Sequence, residues 1–248
     1  MLKISIITIT YNSAQTVEQT IQSVLNQSYK NVEYIIIDGG STDATLSIIE
    51  KYKNNISKLI SEKDNGLYDA LNKGLALATG DIVGILHSDD FYTNNNVLQL
   101  YADTFTKTNA DAAYSDLYYV DKINTNKITR KWKSGNYTPN SFLFGWMPPH
   151  PTFFVKLDAY KKYGNFNLHI GTAADYELML RFIHKQKINL AYLQHYTIKM
   201  RVGGKSNITI KSRLNANIGD RKAWEMNNLK PYFFTLFLKP LRKILQFL

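Results

Sequence analysis

No cysteine occurs among the 248 residues. That absence excludes a disulfide framework, a thiolate zinc site and a cysteine nucleophile, and it fits a reducing compartment. No uncharged apolar run reaches the roughly 18 residues that a bilayer span needs, so no segment is expected to cross a membrane. The cradles G-x-G-x-x-G and G-x-x-x-x-G-K-[ST] are both missing, which excludes the usual glycine-rich dinucleotide and triphosphate loops. No internal repeat and no low-complexity linker divides the chain. Acids are scarce, 20 against 30 Lys and Arg. The deficit is concentrated: residues 205–248 hold nine Lys/Arg against Asp220 and Glu225. A nearly balanced body with a basic end suggests a polyanionic partner, either nucleic acid or an anionic membrane surface.

What is present suits one packed domain at the upper end of the usual size, with room for an appendage: 44% apolar residues and 13% aromatics. Lys3–Thr10 is apolar or Thr almost throughout, as in a strand buried on both faces. Met1–Thr10 is too short and too Thr-rich for a signal peptide, so a cytoplasmic location is expected. Strands are also expected at Val32–Ile37, Ile56–Ser61 and Ile82–Leu86. Helical spacing marks Val17–Leu25, Leu46–Tyr52, Leu67–Ala78 and Val97–Phe105. Strand–turn–helix units in series predict a parallel, right-handed α/β sheet. The polar clusters Thr10-Tyr-Asn12, Asp38-Gly-Gly40 and His87-Ser-Asp-Asp90 each follow a strand, and strand carboxyl ends form the ligand crevice of such sheets. The second half is less regular. It carries expected strands at Ala112–Val120, Ile128–Trp132, Thr152–Val155, Ile188–Leu193 and Thr197–Met200, an aromatic and proline-rich loop at Ser141–Pro151, and helices at Leu157–Tyr163 and Asp175–His184.

Several side chains carry chemistry, each beside a plainer alternative. Asp89-Asp90 at a strand end offers hard oxygen ligands for Mg²⁺ or Mn²⁺ bridging to a diphosphate; Asp90 can equally begin a turn. Asp38 behind a Gly-Gly turn can accept from a base or ribose, or simply start the next helix. Asn72 is a poor helix former within a helix, which suggests a specific partner, while Asp69 and Lys73 are spaced to pair. Asp175 and Glu177 open a helix, where acids are favoured by the dipole; Asp175 can also be a general base aimed into the crevice. His150, between prolines, suits contact with a phosphate or an acceptor, or a surface loop. Trp146 can stack on a sugar or belong to the core.

Taken together and in order, these segments resemble the family 2 glycosyltransferases. The matching strings are Ser5-Ile-Ile-Thr-Ile-Thr-Tyr-Asn12, Ile35-Ile-Ile-Asp-Gly-Gly-Ser-Thr-Asp43, Asp64-Asn-Gly-Leu-Tyr-Asp-Ala-Leu-Asn-Lys-Gly74, Gly80-Asp81, His87-Ser-Asp-Asp90 and Ala174-Asp-Tyr-Glu-Leu-Met-Leu-Arg181. The last string, with Gly203-Gly-Lys-Ser206, resembles enzymes that build bacterial surface polysaccharides such as colanic acid or lipopolysaccharide. The resemblance implies the GT-A fold, a Rossmann-like and mostly parallel central sheet flanked by helices, with an irregular acceptor-side half. The expected organisation is residues 1–110 as the nucleotide-sugar half, 111–228 as the acceptor and catalytic half of the same domain, and 229–248 as a tail whose own pattern, below, reads as an amphipathic helix.

By the same resemblance, Thr10 and Tyr11 line the base pocket, Asp38 accepts from the base, commonly uracil, and Asn65 touches the nucleoside. Asp89 and Asp90 contact ribose and Mn²⁺ or Mg²⁺, and Asp175 is the general base. Trp146, His150, Arg201 and Lys205 are candidates for acceptor or phosphate contact. His87 replaces the first carboxylate of the family's frequent Asp-x-Asp. The Gln-x-x-Arg-Trp string of processive members is absent, so a single addition is expected. The implied reaction is inverting transfer from a nucleotide-sugar donor, such as a UDP-sugar, to a saccharide or lipid-linked acceptor. A nucleotidyltransferase and a degenerate sugar-nucleotide binding module are the competing readings.

The tail supports a location. Lys239, Arg242, Lys243 and Gln246 make one helical stripe, and Leu238, Leu241, Ile244, Leu245 and Leu248 the other, after Tyr232-Phe-Phe-Thr-Leu-Phe237. A cationic amphipathic helix with aromatics lies in a membrane interface; packing on the protein's own core or a dimer contact is the alternative. The expectation is peripheral attachment to the inner face of the plasma membrane through anionic lipid. No nucleic-acid recognition motif accompanies the charge.

Overall fold

The computed structural model describes residues 1–203 and 210–242, with residues 210–216 as backbone. Its strands are β1 (Ile4–Thr10), β2 (Val32–Asp38), β3 (Lys58–Ser61), β4 (Ile82–Ile85), β5 (Asp90–Tyr92), β6 (Ala112–Val120), β7 (Ile128–Trp132), β8 (Phe154–Lys156) and β9 (Leu190–Arg201). They form one sheet in the order β3-β2-β1-β4-β8-β6-β9-β5, with β7 beside β6. β1 to β4 are mutually parallel, β6 and β9 run with them, and β5, β7 and β8 run against them. The sheet is therefore mostly parallel, as expected.

The helices are α1 (Val17–Leu25), α2 (Thr45–Glu50), α3 (Leu67–Leu77), α4 (Val97–Thr108), α5 (Leu157–Tyr163), α6 (Ala174–Met179), α7 (Ile210–Met226) and α8 (Thr235–Arg242). Alternation along the strands separates two cores. Ile4, Ile6, Tyr34 and Ile36 pack with Val17 and Ile21 of α1, Ile49 of α2 and Tyr101 of α4. Ile7, Ile9, Ile35 and Ile37 pack with Leu71 and Leu75 of α3 and Leu178 of α6. Both faces of the strands are covered, which is why they read as continuous apolar runs.

Beyond shifts of up to three residues at element ends, three features differ from the sequence reading. Asp90 belongs to a three-residue strand whose partner, Ile198–Met200 of β9, lies more than a hundred residues away. The two strands expected at 188–193 and 197–200 are one, and the pairing of β9 with β6 shifts register around Asp116. The irregularity leaves Gln194 and His195 exposed, so their polarity imitates a turn. The helix expected at Asp175–His184 is α-helical only to Met179 and continues as a π-helix over Leu180–Lys185.

The tail helix is docked. Thr235 and Leu236 are buried, and Thr235 Oγ1 donates to Leu143 O at 2.6 Å. Lys239 does not join an outward cationic stripe: it pairs with Asp220 at 2.6 Å and lies 3.7 Å from the Tyr176 ring centroid. α8 crosses close over Gly145, where a Cβ would stand 2.5 Å from Lys239 N. The outer side keeps Phe233, Phe237 and Leu241 exposed. Lys243, Ile244, Leu245, Gln246 and Leu248 of the expected stripes lie outside the described residues.

The amino ends of the strands are tied by Glu33, a buried carboxylate on β2. It accepts from Ser5 Oγ (2.6 Å), Thr79 N–H (2.8 Å), Thr79 Oγ1 (2.7 Å) and Lys3 Nζ (3.2 Å). Burial alone would raise its pKa, but these donors outweigh burial and bring it down to about 2. A depressed folded-state pKa stabilises above the unfolded value of about 4.3 and is lost as pH falls through the folded one. Glu33→Gln is expected to lose stability at pH 7 and to show a flatter decline from pH ~5 to ~2 than wild type; urea unfolding across that range measures it.

Candidate active site

The carboxyl ends of β1 and β2 deliver the first group. Thr10 stands opposite Asp38 in the ladder, and Gly39 N–H donates to Thr10 O at 2.9 Å. The buried Asp38 carboxylate accepts at Oδ2 from Gly40 N–H (3.1 Å), Ser41 N–H (2.9 Å) and Ser61 Oγ (2.7 Å), and at Oδ1 from Ser41 Oγ. Asp38 therefore builds the turn, and only Oδ1 keeps acceptor capacity for a ligand. Thr10 Oγ1 is buried without a hydrogen-bond partner among the described residues. Tyr11 is 55% exposed.

Asp64 was not singled out by sequence. A Cβ on Gly39 would come within 2.5 Å of its Oδ2, so the glycine leaves space for this carboxylate. Asp64 Oδ1 accepts from Gly66 N–H at 2.8 Å, and Gly66, at φ +108°, begins α3. Asn65 is exposed, with its N–H donating to Asp69 Oδ2 at 3.0 Å. Ser88 Oγ donates to Ser13 Oγ at 2.9 Å, which ties the loop after β1 to the loop after β4.

The second group follows β4. Asp89 is half-buried and Asp90 is 1% exposed, with neither carboxylate oxygen of Asp90 bonded among the described residues. Burial and then Asp89 push the Asp90 carboxyl well above the usual range, partly opposed by Arg201. No cluster of three or more His, Cys, Asp or Glu able to hold a metal occurs among the described residues. A buried, unpartnered carboxylate beside a second, more accessible one does fit a divalent cation whose remaining ligands are phosphate and water.

His87 marks where the site converges. Its ring lies 5.8 Å from that of His150, edge-on. Burial lowers its pKa and His150 adds to this, while Asp175 and Asp89 oppose it. His87 thus sits among the carboxylate pair, the Pro-His-Pro loop and the first turn of α6.

Asp175, half-buried, receives a hydrogen bond at Oδ2 from the Tyr68 phenol of α3 at 2.9 Å. Its neighbour Glu177 is engaged elsewhere: its buried carboxylate takes Arg181 Nε (2.8 Å) and Nη2 (3.0 Å) and Asn227 Nδ2 (3.0 Å). Arg181 also donates to the carbonyls of Tyr163, Gly164 (2.9 Å) and Asn165 (2.8 Å). Asn72 has the partner its helix position suggested: it donates to Phe166 O (2.9 Å) and accepts from Phe166 N–H (3.0 Å). Asp69 and Lys73 do pair, at 3.5 Å.

Two candidates turn away from ligand contact. Trp146 is 6% exposed, donates through Nε1 to Ser134 O at 2.9 Å, and meets Tyr114, Tyr137 and Phe142; it takes the core alternative, with no face open to a sugar. Arg201 is buried, donates to Asp89 O and Gln19 Oε1, and lies 5.0 Å from the Phe91 ring centroid. It braces the carboxylate pair through the main chain. Lys205 lies outside the described residues.

The chain has relatives among known proteins. The family model described as glycosyl transferase family 2 matches residues 5–168. An uncharacterized glycosyltransferase of Mycobacterium tuberculosis is 31% identical over 180 residues, 72% of this chain and 68% of the relative. The cholesterol galactosyltransferase of Borreliella burgdorferi is 33% identical over 189 residues, 75% of this chain but only half of the relative. Among solved structures, residues 1–349 of S. aureus TarS with UDP-GlcNAc superpose with a TM-score of 0.65 at 17% identity, over 91% of this chain and 70% of that one. A mannosyltransferase from Pyrobaculum calidifontis with GDP-Man and Mn²⁺ gives 0.68 at 16% identity, over 96% and 68%. At these identities the two structures show the fold alone.

Breaking a buried pair by removing one partner leaves an uncompensated charge, at a cost of about 3–5 kcal/mol. Arg181→Ala is expected to destabilise the protein by that order, read by urea unfolding, and to disorder the 163–166 segment in hydrogen exchange.

Proposed function

The chain belongs to glycosyl transferase family 2, and within that family we propose that it adds single sugars with inversion, from a UDP-sugar to a saccharide or lipid-linked acceptor of the bacterial cell surface. As a family member it is a glycosyltransferase that uses nucleotide sugars. The observation that supports the finer reading is the buried Asp90 carboxylate after β4, both of whose oxygens lack a partner among the described residues, beside the more accessible Asp89. The fields of Asp89 and Asp175 both reach His87, in keeping with a carboxylate pair and a base serving one site.

The donor's nucleoside belongs with Thr10, Tyr11, Asp38, Asp64 and Asn65, where Thr10 Oγ1 and Asp38 Oδ1 have capacity left. Asp89 is the more accessible ligand for a divalent cation, with Asp90 beneath it; when bound, such a cation neutralises charge growing on the leaving diphosphate. Asp175 takes the proton of the acceptor hydroxyl as its oxygen bonds the anomeric carbon. The bond to the diphosphate breaks on the opposite face and its electron pair leaves with the phosphate. One displacement needs one base, unlike the paired carboxylates of glycosidases. His150, edge-on to His87, is the candidate for contact with the acceptor or a phosphate. The bound UDP-GlcNAc of TarS favours a UDP donor, although GDP-Man in the other structure shows that the fold accepts either class.

We also assign the exposed face of the tail to a lipid interface. Phe233, 88% exposed, with Phe237 and Leu241 four and eight residues on, forms a stripe that Phe144 and Tyr232 widen. Exposed Lys230 and Arg242 flank it. Apolar residues beside cations suit an anionic bilayer surface. No described helix is long and apolar enough to cross a membrane.

Two experiments test these assignments. In calorimetry with UDP, UDP-GlcNAc, UDP-galactose and GDP-mannose plus Mn²⁺, Asp89→Ala and Asp90→Ala are expected to weaken binding about tenfold or more. Asp175→Asn is expected to spare binding and to slow turnover by about 10²-fold or more, the usual weight of a general base. Binding to none of these would sink the donor site. For the tail, Phe233→Ser/Phe237→Ser is expected to cut flotation with phosphatidylglycerol vesicles about tenfold, with wild-type binding weakened by salt; equal flotation of both proteins would remove the interface assignment.

A further inference from the structure

Tyr68 is a half-buried phenol on the donor-side helix α3, and its hydroxyl ends on the candidate base of the acceptor-side helix α6. Its hydrogen also has a longer approach to Thr172 O, 3.3 Å against 2.9 Å to Asp175 Oδ2. The ring rests against Phe166 at 5.6 Å between centroids, and Asn72, one turn along α3, holds the Phe166 main chain from both sides. The phenol is thus located independently of the carboxylate it meets. Burial and then Asp175 raise its pKa, so it remains a donor through the working pH range.

Resting on the reading of Asp175 as general base, we propose that Tyr68 is the positioning residue for that base, fixing its carboxylate through Oδ2 and leaving Oδ1 to take the acceptor proton. The phenol keeps its own proton throughout. The acceptor O–H proton passes to Asp175, the new bond forms at the anomeric carbon, and the diphosphate departs with the electron pair. The other titratable groups that sense Asp175 are His87 from the β4 end, with His150 edge-on to it, and Tyr160 from α5. Tyr68 is the one shown bonded to the carboxylate. α3 begins at the Asp64-Asn-Gly66 turn lying against Gly39, so the base is held in register from the donor pocket.

The test compares wild type, Tyr68→Phe, Asp175→Asn and the double variant. Release of UDP or GDP from UDP-GlcNAc, UDP-galactose and GDP-mannose with Mn²⁺ is followed with water as the acceptor hydroxyl. Phe keeps the ring packing, and thermal unfolding and donor affinity monitor the fold. A donor to a carboxylate favours its ionised form. Tyr68→Phe is therefore expected to lower kcat about tenfold with KM for donor within about twofold. In the Asp175→Asn background it should add nothing, since a residue that acts only through another has no effect once that one is gone. An unchanged kcat in Tyr68→Phe, or an equal loss in the Asn background, overturns the positioning role while leaving the base intact. Wild-type turnover by Asp175→Asn, or no nucleotide release by wild type, overturns the base reading itself and this inference with it.

Discussion

Arg181 brings a positive charge to a place with little water, and its acceptors converge there from two segments: the Glu177 carboxylate and the carbonyls of Tyr163, Gly164 and Asn165. Asn227, just beyond α7, adds a donor to the same carboxylate. A buried ion pair contributes little net stability by itself, but its geometry is demanding, because any misplaced partner leaves a desolvated charge. Here that demand closes a circuit. The 163–166 segment is bound to Arg181 on one side and to Asn72 of α3 on the other, α3 reaches Asp175 through Tyr68, and Asp175 shares its short helix with Glu177. The first turn of α6 is located from both halves of the chain, which is the condition for a side chain to hold a productive angle.

The sheet divides its labour by end. Toward the strand amino ends, Glu33 is saturated with donors and contributes stability. Around the carboxyl ends and on the short β5, buried polar groups have no partner among the described residues: Thr10 Oγ1, both oxygens of Asp90 and the Tyr92 hydroxyl. Buried polar groups are rarely left unpaired without a reason, and a ligand is one. Asp38 stands between the two conditions, with one carboxylate oxygen given to the turn and the other only half used.

Much of this was legible in the sequence, for identifiable reasons. The strands up to β4 were readable because burial on both faces leaves an uninterrupted apolar run, and β6 and β7 fell at their expected limits. Asp38, Asp89, Asp90 and Asp175 were readable as candidates because carboxylates after strands or at a helix start have few places to go. What failed was non-local. β5 exists only because β9 runs past it. The exposed Gln194-His195 step is a register irregularity that looks like a turn. Arg201, Trp146 and Lys239 were candidates by residue type, yet each is engaged by a partner distant in sequence. Asp64 and Tyr68 lay inside a recognised string, but their importance rests on Gly39 and Asp175, which no local pattern connects to them.

The close crossing of α8 over Gly145 has a mechanical meaning. With backbone nearly touching backbone and Lys239 locked to Asp220, the tail is a keel rather than a tether. If its outer stripe rests on lipid, the whole molecule takes one tilt and one height above the surface. The distance from bilayer to crevice is then a constant of the fold. Such an enzyme works as a fixed-gauge tool: acceptors whose reactive hydroxyl projects by that distance meet the base at high effective concentration, and shorter or longer ones pass beneath it or beyond it.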